Sequence, residues 1–377
     1  MKIQAIRSVL LRELTLLASV VDKKSSIPVL ANIYVETTDD WHVVMRATDL
    51  DVWLTSPLTV FVKEPGRACL PAKKLLEIVK ALPESDVEIT ADATSVTVTC
   101  LKSRFKLPAV DPDTYPELPK SEAVTAQIEV SGLLLRLMIE QVQCAISMEE
   151  SRYTLNGAKF DATNGQMQLA ASDGHRLSHA VMPIQMAEGS KLDVLIPRKT
   201  LAEIPRLLAD AAEKVTISQR QDDNRLTFAM GSSGRVLVSR LLSGQFPNIE
   251  PLLKTQPTHT IQLPAEVLAT AIKRVSLMAD ERSRAVRLEF APGRLTIAAS
   301  TSEAGEAGEH LDIESEIEMT CAFNATYLLD GLALCGGDVC LGFRTAGEQA
   351  LLTPAESANG AGESPITSTY IVMPMRA

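Results

Sequence analysis

PAKKLLEIVKAL, residues 71–82, places Leu75, Leu76, Ile78 and Val79 at three- and four-residue spacing and keeps Lys73, Lys74 and Lys80 between them. This is the pattern of an amphipathic helix with one apolar stripe and one basic face. It recurs. PRKTLAEIPRLL (197–208) and NATYLLDGLALC (324–335) follow at intervals of about 126 residues. The first two carry Pro at the first turn, where a missing N–H costs nothing, and the third carries Asn as an N-cap.

Outward from this helix the rest of the unit repeats as well. Ahead of each copy lies another amphipathic segment: VLLRELTLLASVV (9–21), LLLRLMIEQVQCAI (133–146) and EVLATAIKRVSLMA (266–279). Between the two helices of each copy stands a pair of alternating segments around a turn. These are NIYVETTDDWHVVMRATD, GAKFDATNGQMQLAASD and AVRLEFAPGRLTIAAST. Period-two alternation broken by Thr-Asp-Asp, Thr-Asn-Gly or Pro-Gly reads as a hairpin. A fixed period of this length marks a repeated architecture. We read three α+β domains over 1–121, 122–252 and 253–377, each laying two helices on an antiparallel sheet. The Pro-rich stretches DPDTYPELPKSE and QFPNIEPLLKTQP serve as joints.

Composition narrows the function classes. The chain has 377 residues, of which 46% are hydrophobic but only 4% aromatic, so Leu, Val, Ile, Ala and Met must fill its cores. The net charge is −10, and residues 251–377 hold 9 Lys+Arg against 16 Asp+Glu. An acidic total opposes bulk adhesion to nucleic acid, yet it leaves room for a locally basic surface. Basic helix faces inside an acidic body suit sequence-independent phosphate contact. The cysteines Cys69, Cys100, Cys144, Cys321, Cys335 and Cys340 form no CxxC pair and no zinc spacing. They read as structural thiols in a reducing, cytoplasmic setting. Arg7, Arg12 and Glu13 interrupt the apolar N-terminus, so no secretory leader is expected there, and no window is long enough for a membrane span.

One stretch looks like chemistry. ASDGHRLSHAVMP (171–183) sets Asp173, His175 and Arg176 within four residues. An acid and an imidazole this close could serve a nucleic-acid-processing enzyme. Against that, residues two apart around a turn seldom face each other, Asp-Gly is an ordinary turn signal, and no nucleophile elbow, P-loop or HExxH is present. The equivalent turns in the other copies, ATDLDV and ASTSEA, lack His and Arg. The turn is therefore architecture, and whatever His175 and Arg176 do is peculiar to the middle repeat. No catalytic residue, metal or cofactor is expected.

The motifs IPVLANI, ATDLD, LPAKKLLEI, SRYTLNG, SDGHRL, IPRK, GQFP, FNATYLLDGL and YIVMPMR, in this order over the whole chain, resemble the bacterial DNA polymerase III β sliding clamp family. The resemblance implies a non-catalytic, head-to-tail homodimer: a ring with helices inside and sheets outside, threaded by duplex DNA and opened by a clamp loader. It implies a groove for Gln-Leu-x-Leu-Phe-like peptides of the DNA polymerase III alpha subunit, the loader and other motif-bearing proteins. The matching groove positions are Arg152, Leu155, Ser172, Gly174, His175, Arg176, Leu177, Pro247 and Leu252, with Val372, Met373, Pro374, Met375 and Arg376 from the tail. DNA-facing positions by the same matching are Lys24, Lys73, Tyr153, Arg198 and Lys199. The seam pairs Lys74, Ile78, Leu82, Phe105 and Leu107 of one chain with Leu277, Met278, Glu303 and Glu306 of the other.

The chain departs from the family pattern in places. After GQFP it reads NIEPLLK, with Pro251 and Leu252 where relatives carry a basic–aliphatic pair. Thr154 stands in place of a frequent tyrosine, Glu149 in place of a glutamine that contacts DNA in a relative, and Ala377 in place of a leucine. The loop 353–368 is longer than usual and expected to be flexible. These departures motivate one alternative, a specialised clamp with altered partners.

Overall fold

The computed structural model describes residues 1–21, 27–118, 124–187, 190–208, 213–220, 224–301, 305–355 and 364–375. Lys24, Glu303, Arg376 and Ala377, together with positions 356–363 of the long loop, lie outside the described residues.

The six expected helices form close to their expected limits: α1 (Arg7–Val20), α2 (Ala72–Ala81), α3 (Gly132–Gln143), α4 (Arg198–Leu207), α6 (Ala265–Val275) and α7 (Ala325–Ala333); an unexpected one-turn helix, α5 (Glu250–Leu253), forms in the second Pro-rich joint. In α2 the apolar stripe Ala72, Leu75, Ile78 and Val79 is buried, while Lys73, Lys74 and Lys80 are exposed. Pro71 occupies the cap position itself. Asn324 caps α7, its side chain accepting from the N–H groups of Thr326 and Tyr327. The repeated hairpins pair in register: Tyr34 opposite Arg46, Phe160 opposite Leu169 and Leu288 opposite Ile297.

The sheets do not respect the repeats. We expected one sheet per repeat, but strand Val236–Arg240 of the middle repeat pairs antiparallel with Val52–Thr59 of the first. Likewise Arg176–Pro183 of the middle repeat pairs with Thr367–Val372 of the last. Two eight-stranded sheets result, accompanied by a five-stranded and a four-stranded sheet. Each joining strand finds a partner for backbone groups that would otherwise lie unpaired on an open edge. The compact units follow these sheets. One comprises residues 1–136, 185–192 and 199–241, and the other 137–184, 193–198 and 242–377.

Within the first unit a buried ion cluster fixes α1. The Glu13 side chain, 1% exposed, accepts from Arg235 and from the Ser56 hydroxyl at 2.7 Å. Breaking such a pair by removing one partner typically costs about 3–5 kcal/mol, because the other charge is left without compensation. In the second unit, α6 and α7 cover a core of aliphatic residues around Phe290, Phe323 and Phe343. The buried core of the whole chain is dominated by Leu, Val, Ile and Ala, as its low aromatic content requires.

All six cysteines are free thiols. Burial pushes Cys144 and Cys335 up to about 11 and Cys69 and Cys321 up to about 12. Thiols held protonated in this way are poor nucleophiles and poor metal ligands.

Candidate peptide-binding groove

The groove candidate lies within the second unit, on the turn between strands Gln166–Ser172 and Arg176–Pro183. Asp173 organises the turn. Its Oδ1 accepts from the backbone N–H of His175 at 2.9 Å and of Arg176 at 3.0 Å, and its Oδ2 accepts from Arg176 Nε at 3.0 Å. Gly174 takes a φ of +88°, and a β-carbon there would sit 2.9 Å from Arg152 Nη1. The positive φ favours glycine, whereas the Arg152 side-chain end could give way.

This geometry answers the catalytic reading. Asp173 is occupied by the backbone of its own turn and by Arg176. The His175 ring lies nearly parallel to Tyr327, 15° between planes and 6.3 Å between centroids. Acid and imidazole face different partners, so no dyad forms.

Arg176 is the centre of the site. Its side chain is only 11% exposed. The guanidinium pairs with Asp173 and Asp330, donates to the Tyr370 hydroxyl at 3.3 Å, and lies 4.4 Å over the Tyr327 ring. Two carboxylates and an aromatic face offset the desolvation of a buried cation. Asp330 and Tyr327 are three apart on one face of α7, and Tyr370 comes from the terminal strand. We did not anticipate these three residues from the sequence. The one available signal was Asp330, the lone charge in an otherwise uncharged helix.

The terminal segment is stitched to both sides. Met373 N–H donates to the His175 carbonyl at 2.8 Å, and Met375 N–H donates to the Ala322 carbonyl at 2.7 Å. Met373 is 37% exposed, whereas Val372 and Leu177 are buried. Leu155, Leu252, Pro374 and Met375 are half-buried and Pro247 is exposed. Ser172 serves the turn, its hydroxyl donating to the Arg176 carbonyl and accepting from Gly174 N–H. Arg152 donates to the Asp173 carbonyl and pairs with Glu149 at 2.8 Å. The structure thus brings together the middle-repeat turn and the tail, with Leu177 and Val372 buried.

The DNA-facing and seam candidates divide. Lys73, Tyr153 and Arg198 are exposed. Arg198 also contacts the Met148 sulfur. The Lys199 ammonium instead donates to the Val20 carbonyl at 3.0 Å and pairs with Asp49, so it pins α4 inside the first unit. Phe105, Leu277 and Glu306 are exposed, Leu107 and Met278 half-buried, and Ile78 and Leu82 buried in the protomer. Lys74 pairs with Glu77 on its own helix at 2.6 Å.

Family models cover the chain from end to end. The N-terminal domain of the DNA polymerase III beta subunit matches residues 1–119, the central domain 129–248 and the C-terminal domain 251–376. The chain belongs to this family. Its fold is the three-domain clamp fold of helices and antiparallel sheets, and its function is that of a DNA sliding clamp, a non-catalytic processivity subunit. The beta sliding clamp of Caulobacter vibrioides is 32% identical over 387 residues, covering 100% of both chains. That of Pseudomonas putida is 30% identical over 375 residues, covering 98% of each. A crystal structure of the Pseudomonas aeruginosa DnaN sliding clamp, bound to griselimycin, superposes with a TM-score of 0.91 at 28% identity over 100% of both chains. Among the described residues, no helix of this clamp is long and apolar enough to cross a membrane.

Proposed function

We propose that this clamp closes as a head-to-tail homodimer around duplex DNA in the cytoplasm, and that its groove tethers the replicative polymerase, the clamp loader and other motif-bearing partners. The three domains are the repeat units 1–121, 122–252 and 253–377. The observation that carries the ring is a pair of complementary sheet edges. Strand Ser103–Pro108 is outermost in the five-stranded sheet and is basic and exposed at Arg104 and Lys106. Strand Gly305–Asp312 is outermost in the four-stranded sheet and bears Glu306 and Glu309. An open edge is a template for strand addition, and opposite charge selects the partner edge over a copy of itself. Two different patches joined head to tail close a ring when the rotation per subunit allows it.

Lys73 and Arg198 supply exposed cations for the phosphate backbone, and Tyr153 an exposed ring. Lys199 acts by holding α4, so Arg198 is left as the outward cation at the start of that helix. Such contacts are sequence-independent and weaken with salt. In the groove, Leu155, Leu252, Met373 and Met375 offer apolar contact and His175 a polar edge. Short linear motifs are held by a few such anchors.

Negative-stain class averages of the purified protein test the ring. A two-fold particle with an open centre and six lobes is expected. A compact particle with no hole at micromolar concentration would reject the ring assignment.

A further inference from the structure

Among the described residues, the two guanidinium groups at the groove turn are already engaged. Arg152 is held between the Glu149 carboxylate and the Asp173 carbonyl, at 2.8 Å each. Arg176 is held by Asp173, Asp330 and Tyr370 and is largely buried. Where the family resemblance leads one to expect a basic residue, Pro251 stands, and Lys254 nearby in sequence pairs with Glu250 at 2.6 Å. Among the described residues at the turn, three carboxylates therefore face two guanidinium groups, and the most exposed carboxylate is Glu149, at 58%. The Tyr327 phenol beneath His175 senses this balance. Burial raises its pKa, and Asp173, Glu149 and Asp330 raise it further against the opposing Arg176.

We infer that this groove selects uncharged or basic docking peptides and discriminates against acidic ones, with Glu149 as the specificity-determining residue. The inference rests on the docking reading above. Among the described residues, a ligand carboxylate finds no unengaged guanidinium at this turn and must approach the Glu149 and Asp173 charges. Like-charge apposition is a standard means of excluding partners. Glu149 acts twice, by its own charge and by holding Arg152 away from a ligand.

Fluorescence anisotropy with the full-length clamp tests this, using Gln-Leu-Ser-Leu-Phe and the same peptide with Asp or Lys replacing Ser. The Asp peptide is expected to bind about twofold to fivefold more weakly than the Ser peptide, the range of partly exposed charge pairs. The Lys peptide is expected to bind at least as well as the Ser peptide. The gap should shrink on going from low to high salt and in Glu149→Gln, whose thermal melting controls for folding. An Asp peptide that binds wild type as well as the Ser peptide, or a gap indifferent to both salt and Glu149→Gln, would overturn the inference. Failure of all three peptides to bind would instead remove the docking reading beneath it.

Discussion

The Arg176 guanidinium pairs with the Asp330 carboxylate across 154 residues of sequence, tying the turn of the middle repeat to a helix of the last. The Tyr327 ring lies under the same guanidinium. Arg176→Ala should lower stability by about 2 kcal/mol, discounted because Asp330 is about one-third exposed. Peptide affinity should fall at least about tenfold, the equivalent of ~1.4 kcal/mol. Arg176→Lys should recover less than half of either loss, because an ammonium lacks the planar fork and the stack. Urea midpoints and anisotropy titrations measure both. An Ala variant with unchanged midpoint and affinity would show the cluster to be incidental.

Deleting Met373–Ala377 removes the segment stitched to the His175 and Ala322 carbonyls. The terminal strand Thr367–Val372 keeps its pairing with Arg176–Pro183, so the fold should survive. Peptide binding should drop by about tenfold or more, as expected when a central apolar anchor is lost. Unchanged affinity in the truncated protein would move the docking site elsewhere.

Gly331 on α7 lies against the Tyr370 ring, and a β-carbon there would collide with it. Gly331→Ala should destabilise by about 1–3 kcal/mol, the usual cost of overpacking. It should also weaken peptide binding by displacing the ring that contacts Arg176. Calorimetric melting and the same titration would show the two losses together. A neutral variant would mean that Tyr370 yields freely.

His179 accepts no buried charge readily. Burial lowers its pKa from 6.5 to about 4, and its Nε2 lies 3.1 Å from Gln168 Oε1. The folded state thus binds fewer protons than the unfolded state between these values. Its stabilising contribution is complete above pH 6.5 and is lost as pH falls towards 4. The full loss, reached below pH 4, is on the order of 3 kcal/mol. Urea midpoints should fall between pH 7 and pH 5, and His179→Gln should flatten that slope. An identical slope in the variant would assign the acid sensitivity to other groups.

Phe105 and Leu277 are apolar side chains exposed in the protomer, at 37% and 79%. On the ring proposal each is covered in the dimer. Phe105→Asp should yield a 40.8 kDa monomer in sedimentation analysis without loss of fold. A dimer that persists would place the seam on another surface.

Much of this protein is legible in local pattern. Leu75, Ile78 and Val79 fix α2 and its buried face, Asn324 announces the start of α7, and the 126-residue recurrence of these landmarks reveals three related units. Periodicity and capping involve residues a few positions apart, so the chain itself carries that information. The mating of strands Val236–Arg240 and Val52–Thr59 is not carried that way. Neither is the pairing of Lys199, a position that the family resemblance turns toward DNA, with Asp49, nor the assembly of Arg176, Asp330 and Tyr370 into one cluster. Each depends on which surfaces long-range packing brings into contact. In a low-dielectric contact the partner within a few ångströms decides what a charge does. The repeated units, their helices and hairpins, and the family are all written in local pattern. The carboxylates that Lys199 and Arg176 reach in distant segments, Asp49 and Asp330, are set by long-range packing.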